Sequence, residues 1–338
     1  MTARFVNLGI RIMKAVRFRT PGGPETLAVE ELPDPRPQAG EVLIRIAGAG
    51  LNRADSLQRL GRHNLPPGAS EIFGMEVSGT IVEAGPGIDG FIPGDQVMAL
   101  LASGGYAEYV AVSVGHVLAI PKGIGLIEVA GVPEVAATLV SNICHTGRFA
   151  PGETVLIHGA TGGIGVFGIQ LIKTIGGRVA VTASSDTKLE VARRLGADIL
   201  INYEEEDFAK RMLAEGGADI VLDTVGGSYL AKNIEALAPF GRIMTIGMQG
   251  GPSGTLNFAA LMKKKASVSG TLLRDRSPEQ KTAIMAGVNR LVLPFLTAGA
   301  IRLITERVYP LSEVAAAHAH FETKAHVGKI LLDCRQTD

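Results

Sequence analysis

Two textures of hydrophobic and polar positions follow one another along the chain. From Lys14 to about residue 125, short apolar-rich stretches ("KAVRFRT", "LAVEEL", "EVLIRIAGAG", "EVSGTIVEAG", "DQVMAL", "YAEYVAV") are separated by Gly and Pro signals such as "PGGPE", "GPGIDG" and "PGD". Strand-length runs with such punctuation predict a small β-rich domain. Val135, Ala136, Leu139, Val140 and Ile143 then recur at helical spacing and predict a helix. From Glu153 the apolar runs become short and continuous ("TVLIH", "RVAVTA", "DILINY", "DIVLDT", "RIMTIG", "SVSGT"), with amphipathic helical stretches between most of them. Continuous runs suit strands covered on both faces, so this half predicts an α/β fold with a doubly wound, six-stranded parallel sheet. A last helix is expected from about Pro278, and "ITERVYPL" and "GKILLD" are expected to return to the first domain. The expected division is residues 1–125 with 271–338, and residues 126–270. Residues up to Met13 read as an extension or a mis-assigned start.

Composition changes the picture only by narrowing the partners. A chain of 338 residues, 46% of them hydrophobic, suits two cores better than one. Acidic and basic residues balance at 33 each, so no global field recruits nucleic acid or an anionic membrane, and small molecules are the expected partners. No apolar run approaches the roughly 18 residues a bilayer span requires, and no signal-peptide pattern opens the chain, which gives the expectation of a soluble cytoplasmic protein. Cys144 and Cys334 are too few for a disulfide framework or a four-cysteine zinc site, and read as inert thiols.

The chemistry concentrates in "IHGATGGIGVFGIQ", residues 157–170, which follows the first strand of the alternating half and opens its first helix. Gly162 and Gly165 take the second and third glycines of a G-x-G-x-x-G dinucleotide fingerprint, with Ala160 replacing the first. A small residue at 162 lets backbone approach a pyrophosphate, Gly165 lets helix and strand pack closely, and the helix N-terminus offers unbonded N–H groups. Gly159, Ala160, Gly162, Gly163, Ile164 and Gly165 are therefore the candidate phosphate loop of a Rossmann domain. Where an NAD enzyme places a carboxylate, at the end of the second strand, this chain has Ala183, followed by Ser184, Ser185 and, one turn later, Lys188. Hydroxyls and an ammonium favour a 2′-phosphate, so NADPH is the expected cofactor. Asp186 is the one feature against that expectation, and a helix-capping role for Ser184 and Asp186 is compatible with it. Tyr203 is placed near the adenosine.

Together "PGGPETL", "LNRADSLQR", "PPGAS", "GMEVSGTIVEAG", "GGYAEYV", "HGATGGIG", "GADILINY", "LDTVGGSY" and "GTLLRDRS" make the chain, from Lys14 to Asp333, resemble the medium-chain dehydrogenase/reductases. Within them it is similar to the zinc-free quinone oxidoreductase branch, and to the subgroup containing the tumour-suppressor-induced NADPH quinone oxidoreductase. The resemblance implies that the β-rich domain is GroES-like, that Thr138 lies beside the nicotinamide, and that Gly226, Ile246, Gly247, Leu272 and Leu273 line its edge. It also places Asn52 and Met75 where zinc-dependent relatives have a cysteine and a histidine, with the third ligand near Pro133 and Glu134. An amide and a thioether are poor zinc donors, so a zinc-free enzyme is expected.

Without a Lewis acid the acceptor has to stabilise the arriving charge itself, which favours quinones and conjugated enones or enals. Asn52 is the candidate polar wall of the site, although a cap or turn also explains it. His63, where relatives often have tyrosine, is the candidate proton donor; an exposed histidine with water as donor remains the alternative. Two other readings stay open: an enoyl-thioester reductase, and a non-catalytic NADPH-binding protein. The other histidines, His318, His320 and His326 among them, show no metal spacing, and "KKK" at 263–265 reads as a solvated helix end. The apolar sixth strand, "SVSGTLL", would lie at a sheet edge, and a homodimer pairing two such edges is expected, with a monomer covered by "RDRSPEQK" as the alternative.

Overall fold

The structure, a computed structural model, describes residues 11–18, 20–63 and 65–337. The chain divides into two compact units, one of residues up to 133 with 307–325 and 330–338, the other of residues 134–306 with 326–329.

The first unit opens with β1 (Ile12–Phe18) paired antiparallel to β2 (Leu27–Pro33). Strand β1 begins before Lys14, and Met13 is buried in the core. Residues 12 and 13 are thus part of the fold, while 1–10 lie outside the described residues. Next come β3 (Glu41–Gly50), α1 (Arg53–Arg59), β4 (Glu76–Ala84), β5 (Gln96–Leu100), β6 (Tyr109–Ser113) and β7 (Val117–Ala119). Strand β3 is buried along almost its whole length because β4 and β6 both pair with it.

In the second unit, α2 (Pro133–Leu139) runs into a π-helical turn, Val140–Thr146. Then follow β8 (Thr154–His158), α3 (Gly163–Thr174), β9 (Arg178–Ala183), α4 (Asp186–Arg194), β10 (Ile199–Asn202), α5 (Phe208–Ala214), β11 (Ala218–Asp223), α6 (Leu230–Ala236), β12 (Leu237–Thr245), α7 (Phe258–Lys264), β13 (Ser267–Gly270), α8 (Pro278–Leu291) and α9 (Leu293–Thr297). The six strands form one parallel sheet in the order β10-β9-β8-β11-β12-β13, which is the order of a Rossmann fold. All five residues of β8 are buried, as continuous apolar runs require.

The return segments are β14 (Thr305–Pro310), α10 (Val314–Glu322) and β15 (Lys329–Asp333), and the remaining sheet runs β14-β15-β3-β4-β5-β7 with β6 also on β3. The expected return of these two strands is thus observed. Residues 271–306, expected with the β-rich domain, lie instead in the second unit. The reason is α8, whose buried face (Ile284, Met285, Val288) packs so closely on the π turn that a Cβ on Gly287 would sit 2.9 Å from Val140. Residues 126–133 conversely stay with the first unit. The lysines at 263–265 do more than solvate a helix end: Lys264 donates to the Glu235 and Leu237 carbonyls at the end of α6, and the Lys265 ammonium sits 5.0 Å from the Phe240 ring centroid. No helix among the described residues is long and apolar enough to cross a membrane.

The first unit's core contains an unpartnered imidazole with an energetic consequence. His318 of α10 packs edge-on against Tyr106 and Phe73, and among the described residues neither ring nitrogen has a hydrogen-bond partner. Burial, helped by the nearby Arg59 guanidinium, lowers its pKa from 6.5 to about 3. Below pH 6.5 the unfolded chain therefore binds a proton that the folded one refuses. Stability should fall as pH drops from 6.5 toward 3, by up to about 1.4 kcal/mol per pH unit. In chemical denaturation across that range, His318→Leu should flatten this part of the slope; an unchanged slope would contradict the assignment.

Candidate functional site

The phosphate loop is built from close backbone contacts. After β8 the chain turns at Gly159 (φ +91), and the Gly159 and Ala160 N–H groups both donate to the Thr182 carbonyl of β9, at 3.2 and 3.1 Å. Gly162 is the N-cap of α3, and nothing lies within 4 Å of the point where its Cβ would stand. A Cβ on Gly165 would instead fall onto the carbonyl oxygens of Gly159 and Ala160, so helix and strand touch at that residue. The half-buried Gly163 and Ile164 complete the first turn, which contains no acidic residue. Its leading N–H groups have no partner within the helix and carry positive potential. An open backbone face at 162 and a helix N-terminus free of acidic side chains fit a dinucleotide pyrophosphate. Sequence reasoning missed one neighbour: the Gly328 N–H donates to the Thr161 carbonyl at 2.8 Å, and the Lys329 stem lies over Gly163, 2.7 Å from where a Cβ would be. Residues so distant along the chain leave no local signal of such pairing.

The residues expected around the adenosine are brought together at the ends of β9 and β10. Lys188 Nζ lies 3.4 Å from Ser184 Oγ, and the Tyr203 N–H donates to the Ala183 carbonyl at 3.1 Å. Asp186, which counted against a 2′-phosphate, accepts from Asn202 Nδ2 at 3.3 Å and so has a structural partner.

At the opposite side of β8, the loops after β11 and β12 interlock. Asp223 Oδ1 accepts from the Val225 and Gly226 N–H groups at 2.8 and 3.0 Å, and the Ile246 N–H donates to the Asp223 carbonyl at 2.8 Å. A Cβ on Gly226 (φ +82) would stand 2.9 Å from the Gly247 carbonyl oxygen, so these loops meet backbone to backbone. Thr138 is buried in α2 with its hydroxyl donating to Glu134 Oε1 at 3.0 Å. Leu272 and Leu273 follow β13, and Leu272 is 50% exposed.

Asn52 and His63 belong to the first unit. Asn52 is the N-cap of α1 in a capping box with Asp55, which accepts its backbone N–H at 2.8 Å, so the capping role left open by the sequence is present. Its Nδ2 also donates to the buried Glu76 Oε1 at 2.9 Å, a pairing that no spacing rule announces. Tyr106 donates to Asp55 at 3.0 Å; burial, reinforced by that carboxylate, holds the phenol pKa well above its ordinary value. Met75 is buried, and His63 lies partly exposed in the loop after α1. Among the described residues no three His, Cys, Asp or Glu side chains are grouped as a metal would require.

Comparison with known proteins agrees with both halves of this description. The family described as "Alcohol dehydrogenase GroES-like domain" matches residues 38–122, and "Zinc-binding dehydrogenase" matches residues 163–287. A solved NAD-dependent alcohol dehydrogenase is 32% identical, with 95% of this chain and 99% of that one covered and a TM-score of 0.82. The chain belongs to the medium-chain dehydrogenase/reductase superfamily. As a member it is an oxidoreductase with a Rossmann unit and a GroES-like unit. It is also similar to the Escherichia coli quinone oxidoreductase solved with NADPH (25% identity, TM-score 0.85, 95% and 99% covered) and to the CurK enoyl reductase (27%, 0.83, 95% and 99%). A phenolphthiocerol/phthiocerol polyketide synthase polypeptide of Mycobacterium tuberculosis is 31% identical over 327 residues; the alignment takes in 95% of this chain but spans only 15% of that much longer protein.

The two loop glycines should fail differently. Gly165→Ala should cost about 3 kcal/mol of stability through overpacking. Gly162→Ala should stay within about 1 kcal/mol of wild type yet weaken dinucleotide binding. Thermal melts paired with cofactor titration check this, and equal destabilisation by the two would contradict the geometry.

Proposed function

We propose that the chain is an NADPH-dependent, zinc-free oxidoreductase that reduces quinones or similarly electron-poor conjugated carbonyls. The observation that carries the cofactor assignment is the end of β9, where Ser184 and Lys188 adjoin each other and no carboxylate replaces Ala183. Relatives include both an NAD-dependent enzyme and a quinone oxidoreductase solved with NADPH, and this local chemistry supports NADPH.

In this reading the amides that open α3 hold the pyrophosphate, Ser184 and Lys188 hold the 2′-phosphate, and Tyr203 flanks the adenosine. Thr138, Gly226, Ile246, Gly247, Leu272 and Leu273 frame the nicotinamide. Bound NADPH supplies a hydride from nicotinamide C4. Asn52, its amide fixed by Glu76, forms a polar wall, and His63 donates the proton to the reduced oxygen. The zinc-free assignment rests on donor chemistry: in the positions of ligands, an amide and a thioether bind zinc poorly. A second reading, reduction of an enoyl thioester, is favoured by the likeness to the CurK enoyl reductase. A third is binding of NADPH without turnover.

Absorbance at the reduced-nicotinamide band, with NADPH or NADH against quinones, enals and enoyl thioesters, separates these readings. The expected outcome is NADPH oxidation fastest with quinones and undiminished by exhaustive chelation. Preference for the thioester supports the second reading, and binding without oxidation supports the third. Lys188→Ala should reduce the NADPH-over-NADH preference about tenfold. An unchanged preference would sink the 2′-phosphate assignment.

We further propose a homodimer joined through β13. That strand is short, only Ser267–Gly270, and among the described residues pairs on one side only, with β12. Around it Phe258 and Met262 of α7, Val268 of β13 and Leu272 beyond it are exposed, which suits a second copy better than water. The charged segment offered as an alternative cover contributes Arg274 to the interior instead, at 2% exposure. Light scattering at micromolar concentration should give twice the 35.3 kDa chain mass; a single species at the chain mass would refute the pairing.

A further inference from the structure

Asn142 lies inside the π-helical turn that continues α2, and is 2% exposed. Its two amide ends serve different segments. Nδ2 donates to the carbonyl oxygen of Thr138 at 2.8 Å, and Oδ1 accepts from the hydroxyl of Thr271 at 2.6 Å. Thr271 is the first residue past β13, and its own N–H donates to the carbonyl of Thr245, the last residue of β12, at 3.1 Å. Leu272 and Leu273 come next, in a loop with no ladder of its own.

Loops of this kind open at low cost unless something ties them to the scaffold. Here one carboxamide ties the loop to the helix. The side chain has to donate in one direction and accept in the other, a combination that a leucine of similar size lacks altogether and a carboxylate half lacks. π turns inside α-helices occur frequently at functional sites, and this one places Asn142 one turn beyond Thr138.

We propose that Asn142 is a positioning residue for the nicotinamide half of the dinucleotide. It sets the distance between the helical turn bearing Thr138 and the loop bearing Leu272 and Leu273, without itself touching the cofactor. This rests on the proposed assignment of those residues to the nicotinamide. The adenosine half depends on Ser184, Lys188 and Tyr203, none of which is bonded to Asn142. Loss of the carboxamide therefore has an effect confined to one end of the ligand.

The test uses the full chain as wild type, Asn142→Leu and Thr271→Val. Each is titrated with NADPH, followed by nicotinamide fluorescence, and with 2′,5′-ADP, which carries only the adenosine half, followed by calorimetry. Both variants should bind NADPH roughly fivefold more weakly, as expected for one or two lost neutral hydrogen bonds. Affinity for 2′,5′-ADP should stay within about twofold of wild type on the same scale. The emission of bound NADPH should shift toward that of the free cofactor. Thr271→Val removes a single hydroxyl from a half-buried residue, which keeps the test valid if Asn142→Leu does not fold. NADPH affinity unchanged in the variants, or parallel loss of both ligands, would overturn the positioning role. Wild-type protein that binds neither ligand would overturn the dinucleotide reading, and this inference with it.

Discussion

Helix α3 rests directly on the end of β8 because residue 165 has no side chain. Any Cβ there meets two carbonyl oxygens of the loop it helps to close, and the helix would have to lift away. Seated as it is, the helix starts where the strand order reverses, with β9 on one side of β8 and β11 on the other. That reversal leaves the carboxyl ends of the strands open to a ligand. Ser184 after β9 and Lys188 in α4 adjoin on one side of β8, and the loops after β11 and β12 interlock through Asp223 on the other.

The first unit satisfies a different constraint. It buries Asp55 and Glu76, and a buried carboxylate is tolerable only with donors aimed at it. Asn52 provides for both, through its backbone N–H to Asp55 and its amide to Glu76, while Tyr106 adds a second donor to Asp55. A single asparagine therefore starts α1 and joins two buried acids. Altering its side chain therefore disturbs the start of α1 and the environment of both acids together.

Much of this was legible in the residues, for stated reasons. Buried parallel strands have to be apolar on both faces, so β8 to β12 announced themselves, as did the turn into α3 through its glycine spacing; β13, largely exposed, shows no such run. Strand β7, three residues long, and α10, made largely of Ala and His, offered too short or too weak a period to detect. The domain limit near residue 271 was misplaced because a strand pattern does not tell which surface the following helix covers. Ile284, Met285 and Val288 are equally apolar whether they face one unit or the other. Asn142 was invisible for the opposite reason, since a polar residue among apolar helical positions gives no hint of a partner as far away in sequence as Thr271. The Lys329 stem over Gly163 is of the same kind.

Four residues, 326–329, belong to the Rossmann unit although the chain on either side of them belongs to the other. Through Gly328 they complete the hydrogen bonding of the Thr161 carbonyl within the phosphate loop. On the ribosome, then, the sheet of that unit can assemble early, but its ligand-facing loop stays unfinished until these four residues have emerged. A fragment cut out as residues 134–306 would carry the same defect permanently.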